Sequence, residues 1–264
     1  PLNSASSSTA SRAPRRSVPR STTARCAATA ASRSGRDSTR AARSRSISAR
    51  RSAAASLDHW TRQLDSLPGG PDLPRRPLSG PPRFERLGLR LEAAAWAALK
   101  TEAQQRGLTP SIALATAYAD ILAAWSRRSR FTIVATSFAA PPDMAGVVGD
   151  FTSTVLLEVD TRPGGFAERA ARLQRRLADA LEHASVSGVR VMRELRRRRP
   201  DMPVIDAVFT STLGHGGLAG EPPLAWLGPT VYAITQTPQV AIDHHVLEEK
   251  GDLVAAWDVV RARF

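Results

Sequence analysis

The feature that most constrains this chain is a change of texture at Leu57. Of the first 56 residues, 41 are Ser, Ala or Arg, and none is Phe, Trp or Tyr. A segment so poor in large apolar side chains cannot bury enough surface to offset its chain entropy, so disorder is expected over residues 1–56. The fold must come from the 208 residues that follow. Charge divides at the same place. Twelve Arg against Asp37 alone give the first segment +11, whereas the rest carries 25 basic and 23 acidic residues, a net of +2. The +13 of the whole chain is thus a property of the tail. A nearly neutral folded part argues against a nucleic-acid-binding domain, which needs a basic face to neutralise phosphate.

No apolar run approaches the roughly 18 residues of a membrane span. The single cysteine, Cys26, excludes an intramolecular disulfide framework and a Cys-based zinc site, and it favours a reducing, cytoplasmic setting. The tail lacks the apolar run of about 7–15 residues of a secretory signal. Its Arg/Ser content fits a transit peptide or an RNA-binding arm, but non-native coding in a GC-rich gene is favoured. The whole chain has only two lysines, Lys100 and Lys250.

From Leu57 the pattern predicts a helix to about Leu67, with Leu57, Trp60 and Leu64 at helical spacing, then a Pro/Gly-rich connector to residue 83. Alternation over Phe84–Leu91 predicts a strand with Leu87, Leu89 and Leu91 on one face. A helix is expected from Glu92 to Arg106, stopped by Gly107. Another runs from Pro110 to about Trp125, with Thr109 as N-cap. Strands are expected at Phe131–Ser137, Thr154–Val159, Val204–Thr210, Thr237–His244 and Leu253–Val259. An amphipathic helix is expected over Gly165–Leu181 and a second over Ser187–Arg199. The class is α/β or α+β, a mixed sheet covered by helices.

Three segments carry chemistry in a fixed order: Val147-Val148-Gly149-Asp150-Phe151-Thr152-Ser153, Val208-Phe209-Thr210-Ser211, and Thr235-Gln236-Thr237-Pro238-Gln239-Val240-Ala241-Ile242-Asp243-His244. Together they resemble the heterocyclization domains of nonribosomal peptide synthetases, a branch of the condensation-domain superfamily. The segment Ser187–Leu195 resembles the stretch such domains carry before the Phe-Thr-Ser strand, and the Leu57–Leu67 helix with its connector resembles their inter-lobe linker. The resemblance implies two lobes, each like chloramphenicol acetyltransferase, with a tunnel between them. Two carrier proteins would reach it with phosphopantetheine arms from opposite sides. It implies condensation of an acyl thioester with a Cys, Ser or Thr thioester, then loss of water to a thiazoline or oxazoline. This chain matches the second lobe only, so residues 57–83 read as helix and linker and 84–264 as the C-terminal lobe. The Asp-x-x-x-x-Asp motif of the first lobe has no counterpart here, and activity without that missing lobe is not expected. Substrates would arrive on upstream and downstream carrier proteins; no metal, bound cofactor, nucleic acid or membrane is expected. An ordinary amide-forming condensation domain and a non-catalytic remnant or interaction module are the alternatives.

Within that reading Asp243 is the acid/base. It lies among Val240, Ala241 and Ile242, and desolvation suits a carboxyl to proton shuttling near neutrality. Thr210 would orient the substrate amide or Asp243 through its hydroxyl. Gln236, Gln239 and Ser211 are candidate substrate contacts. In that resemblance Gly149, Asp150, Phe151, Thr152 and Ser153 form the segment diagnostic of the cyclizing branch, and a structural role, with Asp150 capping the next element, is favoured over direct chemistry. The pair His244-His245 reads as strand-end residues. In this string Glu249 and Lys250 stand where a condensation-type His-His-x-x-x-Asp-Gly motif needs Asp and Gly. No third metal ligand stands at standard spacing from the pair; His215 and Glu248 are possible ligands that nothing else in the sequence supports.

Overall fold

A computed structural model of the chain describes residues 52–138, 147, 149–162, 164–213, 227–228, 232–237 and 239–264. They belong to a unit bounded by Arg51 and Phe264. The expected disorder of the tail up to residue 51, and Val148, His215 and Pro238, lie outside the described residues.

Helix α1 covers residues 52–63. It starts before the predicted Leu57, a correction to the disorder expected for residues 52–56: Ala53, Ala54 and Ala55 are strong helix formers, and Ser56 is buried beside Ser185 (Oγ–Oγ 2.7 Å). It also ends before the predicted Leu67, giving way to a turn over residues 64–66 ahead of Pro68. Trp60, Leu64 and Leu67 are buried. The Trp60 indole N–H donates to the His183 carbonyl (3.2 Å).

The Pro/Gly-rich connector that follows is stitched to the lobe along its length. Gly69 accepts from Thr132 N–H (2.7 Å), Gly70 donates to Pro203 (3.1 Å) and Arg76 donates to Arg263 (2.8 Å). A side chain at Gly70 is excluded, since a Cβ there would stand 2.0 Å from the Val204 carbonyl oxygen. Arg75 forks onto the buried carboxylate of Asp206, with Nη2 2.7 Å from Oδ1. The connector therefore acts as a strap rather than a free spacer.

The sheet contains β1 (Glu85–Leu91), β2 (Arg130–Ser137), β3 (Ser153–Asp160), β4 (Ala207–Ser211), β5 (Ile242–Glu249) and β6 (Asp252–Val259), in the order β1-β6-β5-β4-β2-β3. Pairing is antiparallel except for β2–β4 and β4–β5. The helices α2 (Ala93–Gln105) and α3 (Pro110–Trp125) lie in sequence between β1 and β2, and α4 (Phe166–Glu182) and α5 (Gly188–Arg198) between β3 and β4. Thr109 caps α3 by accepting from Ile112 N–H (3.2 Å), and Ser187 caps α5. Phe131, Ile133, Val155, Leu157, Leu173 and Leu195 are among the buried residues that join sheet to helices. The mixed sheet with helices is the fold expected from sequence.

One strand differs from its prediction in a way that matters for the site. The expected Thr237–His244 strand is instead β5, Ile242–Glu249. The chain before it leaves the ladder: Gln239 has φ +70°, and the Val240 N–H turns back to the Thr237 carbonyl (3.2 Å). Asp243 thus lies near the start of its strand. His244 and His245 are interior strand residues, a correction to their reading as strand-end residues.

Candidate active site

The site is set by strand register. β5 and β6 form a hairpin whose two-residue loop is Lys250-Gly251, both at positive φ (+52° and +92°). Positive φ at both central residues is the geometry that matches the twist of flanking strands. That turn places Asp243 opposite Asp258, and the β1–β6 pairing places Arg86 opposite Asp258 on the other side. Like charges directly opposite on neighbouring strands destabilise a sheet, so the paired aspartates need compensation.

Arg86 supplies part of it. Its Nε and Nη2 reach Asp258 Oδ1 and Oδ2 at 2.7 and 2.6 Å. The Thr235 N–H adds a third bond to Oδ2 at 2.6 Å. Burial pushes the Asp258 carboxyl up, but the guanidinium fork and the Thr235 N–H outweigh it and hold it below the usual carboxylate range. Asp258 is 0% exposed and Asp243 4%. The Thr210 hydroxyl, on the parallel neighbour β4, donates to Asp243 Oδ1 (3.1 Å). Two strand positions on, on the same face, the His245 ring fills the space between the carboxylates. Its Nε2 is 3.2 Å from Asp243 Oδ2 and 3.4 Å from Asp258 Oδ2.

Sequence reasoning named Thr210 and Asp243, whose side chains lie 3.1 Å apart. It missed His245, Asp258, Arg86 and Thr235. The period-2 alternation puts Asp243 and His245 on one face, and the Lys250-Gly251 turn implies that Asp258 faces Asp243. Those two signals were available; nothing local marks Arg86.

The other candidates stand apart. Ser211 Oγ accepts from Leu213 N–H (3.4 Å), which caps the turn after β4. Gln236 and Gln239 are exposed, and among the described residues their side chains make no hydrogen bond to Asp243. The Thr152 hydroxyl and N–H together lower the Asp150 pKa, and the N–H bond (2.8 Å) closes an Asx-type turn. Phe151 is half-buried beyond Gly149, and Ser153 opens β3 opposite Ser137. Glu248 is taken by the Trp96 indole N–H (2.8 Å) and Lys100 Nζ (2.9 Å). Elsewhere His59, Asp179 and His183 place one potential ligand atom each within 4.8 Å of the others. The two imidazoles stack at 3.7 Å instead of converging on a point, and His59 Nε2 lies 2.8 Å from the Gln63 amide.

A mixed sheet with helices of this kind is found in known proteins. The Condensation domain family matches residues 39–249. The chain therefore belongs to the condensation-domain family of nonribosomal peptide synthetases. Within it, the similarity runs to the heterocyclization branch. Pyochelin synthetase PchF of Pseudomonas aeruginosa is 40% identical over 212 residues, 76% of this chain and 12% of that protein. Phenyloxazoline synthase MbtB of Mycobacterium tuberculosis is 38% identical over 213 residues, 78% of this chain and 15% of that protein. The EpoB cyclization-docking bidomain of Sorangium cellulosum superposes with a TM-score of 0.71 at 38% identity, over 81% of this chain and 45% of that one. The chain thus spans less than a fifth of these two curated relatives and under half of the bidomain. Among the described residues no single helix is long and apolar enough to cross a membrane.

Proposed function

We propose that this chain is the C-terminal lobe of a heterocyclization domain. With an N-terminal lobe it would join a carrier-bound acyl thioester to a Cys, Ser or Thr thioester on a second carrier protein. It would then close the side chain onto the new amide and release water, giving a thiazoline or oxazoline. The observation that carries this is the Thr210–Asp243 hydrogen bond on a buried face of the sheet.

The ring closure is a proton problem. The thiol or hydroxyl adds to the amide carbonyl carbon, and its proton leaves for the Asp243 carboxylate. The carbonyl oxygen takes up that proton and becomes a hydroxyl. The C–O bond then breaks, the nitrogen loses its proton as the C=N bond forms, and the oxygen departs as water with this second proton. A carboxyl that accepts and returns protons serves both halves. Thr210 keeps its Oδ1 oriented. Substrates would arrive on phosphopantetheine arms of carrier proteins in the cytoplasm, and the scheme draws on no metal or bound cofactor.

The test joins this lobe to a compatible N-terminal lobe and follows carrier-bound products by mass spectrometry. Asp243→Asn keeps the shape and removes the shuttle, so ring closure falls by about 10²–10⁴ while the amide, one water heavier, still forms. Ring formation at the unmutated rate by this variant would remove Asp243 from the role. An unmutated protein that releases only the open amide would instead be an ordinary condensation domain, and one that makes neither product would be an interaction module.

A further inference from the structure

The residues around Asp243 form a closed arrangement. Arg86, Asp258 and Asp243 are register partners across β1, β6 and β5, and His245 bridges the two carboxylates from the next position on the same face. His245 Nε2 is buried and makes no in-line hydrogen bond to either oxygen. A bare lone pair there would face two carboxylate oxygens and be repelled by both, so the nitrogen must carry a hydrogen, shared between them. Charge counting agrees. Two buried carboxylates and one guanidinium leave a negative charge that an N–H aimed at both acids offsets, and buried charge without such compensation is costly. His244 points to the opposite face against Trp257 and the buried Tyr118, which feels the Asp243 charge, and Tyr232 beside Arg86 is exposed.

We propose that His245 and the Arg86–Asp258 pair are positioning residues that hold Asp243 Oδ2, leaving Oδ1 to Thr210 and fixing the carboxyl plane. The brace reaches further through Asp258, whose Oδ2 also receives the Thr235 N–H. It thereby anchors the segment that carries Gln236, so one ion pair sets both the acid/base and the strand approach beside it. The role in ring closure rests on the function proposed above; the brace itself does not.

The experiment therefore begins on the full 264-residue chain, with ¹H–¹⁵N NMR of the imidazole nitrogens. The His245 signals are assigned by their loss in His245→Gln. The expected result is a protonated Nε2 whose resonance moves in Asp243→Asn and in Arg86→Lys. It should stay put in Arg162→Gln, which removes an exposed pair with Asp160. Asp258→Asn takes the place of Arg86→Lys if circular dichroism shows that variant unfolded. An unprotonated Nε2, or a resonance indifferent to these substitutions, overturns the brace. The second arm uses the lobe-completed protein. His245→Gln is expected to slow ring closure about tenfold to a hundredfold and shift its pH profile, with condensation unchanged within about twofold. If the unmutated protein closes no ring, the functional reading fails and the NMR result still judges the brace. If it closes rings and His245→Gln does so equally well at every pH, the positioning role is wrong.

Discussion

His244 and His245 are consecutive on β5 and live in opposite worlds. His244 stacks on Trp257 with ring centroids 4.4 Å apart and planes 8° from parallel, and Tyr118 of α3 and Phe209 of β4 close around it at 4.9 and 5.7 Å. Its Nδ1 lies 3.1 Å from the Ala256 carbonyl oxygen, and burial pushes its pKa down to about 4. His245 faces two carboxylates and a hydroxyl-bearing neighbour strand instead. Successive strand residues point to opposite faces, so the pleat alone turns one imidazole into a flat apolar wedge and the other into a polar link. The two faces are held by different forces: aromatic packing on one, matched charge on the other.

The largest effect expected comes from breaking the charged face. Arg86→Ala leaves Asp258 fully buried without its counter-charge, which should cost about 3–5 kcal/mol in urea unfolding. Replacing both members, Arg86→Met with Asp258→Leu, should recover most of that loss, because no buried charge is left unpaired. A single-variant cost under about 1 kcal/mol would show that water reaches Asp258 and that the face is not sealed by the pair.

The aromatic face should reveal itself through acid. An unfolded histidine takes a proton near pH 6.5, whereas folded His244 resists until about 4. The unfolded state therefore binds more protons between those values, and stability falls as pH falls, by about 1.4 kcal/mol per pH unit and about 3 kcal/mol in all. Above pH 6.5 the group contributes nothing. His59, also lowered chiefly by burial, adds to the same window. His244→Leu should flatten the decline between pH 7 and pH 5 without abolishing it. An unchanged slope would mean that His244 is solvated.

Much of the surrounding fold was legible in the sequence, but this contrast was not. Thr109-Pro110 announced α3 because an N-cap and a first-turn proline act locally, and Gly107 (φ +68°) stopped the preceding chain as expected. Asp243 and Thr210 came from motif likeness, and the 3.1 Å contact between them agrees with the pairing expected. What local pattern could not supply was register. The apolar Val240-Ala241-Ile242 run looked like strand, but only Ile242 pairs, because Gln239 takes positive φ and the Val240 N–H turns back to the Thr237 carbonyl. Arg86 joined Asp243 through a third strand more than 150 residues away, and periodicity carries no information across such a gap.

A smaller effect separates the hydroxyl from the charges. Thr210→Val keeps the β-branched shape and removes only the bond to Asp243 Oδ1. The expected cost is about 0.5–1.5 kcal/mol in urea unfolding, well under that of Arg86→Ala. Ring closure in the lobe-completed protein should weaken less than in Asp243→Asn. A cost equal to that of Arg86→Ala would mean that Thr210, not the ion pair, holds the face together.

The smallest effect is expected where the apolar face lies open. Leu87 and Leu89 of β1 are 57% and 50% exposed and line an open groove of about 700 Å³ that continues past Leu253 and Trp257 to Ile121 and Trp125 of α3. Further along β5 on the same face, Val246 is buried. Half-exposed leucines have already forgone much of the burial that gives a core leucine its value, roughly 1.5–3 kcal/mol when complete. Threonine suits a strand edge, so Leu87→Thr and Leu89→Thr should each change stability by no more than about 0.5–1 kcal/mol in urea unfolding. Val246→Ala, in the closed half, should cost about 2 kcal/mol because a cavity remains. A loss near 2 kcal/mol at Leu87 or Leu89 would show that this half is covered in solution too, and that the sheet has no open apolar edge to compare with its sealed one.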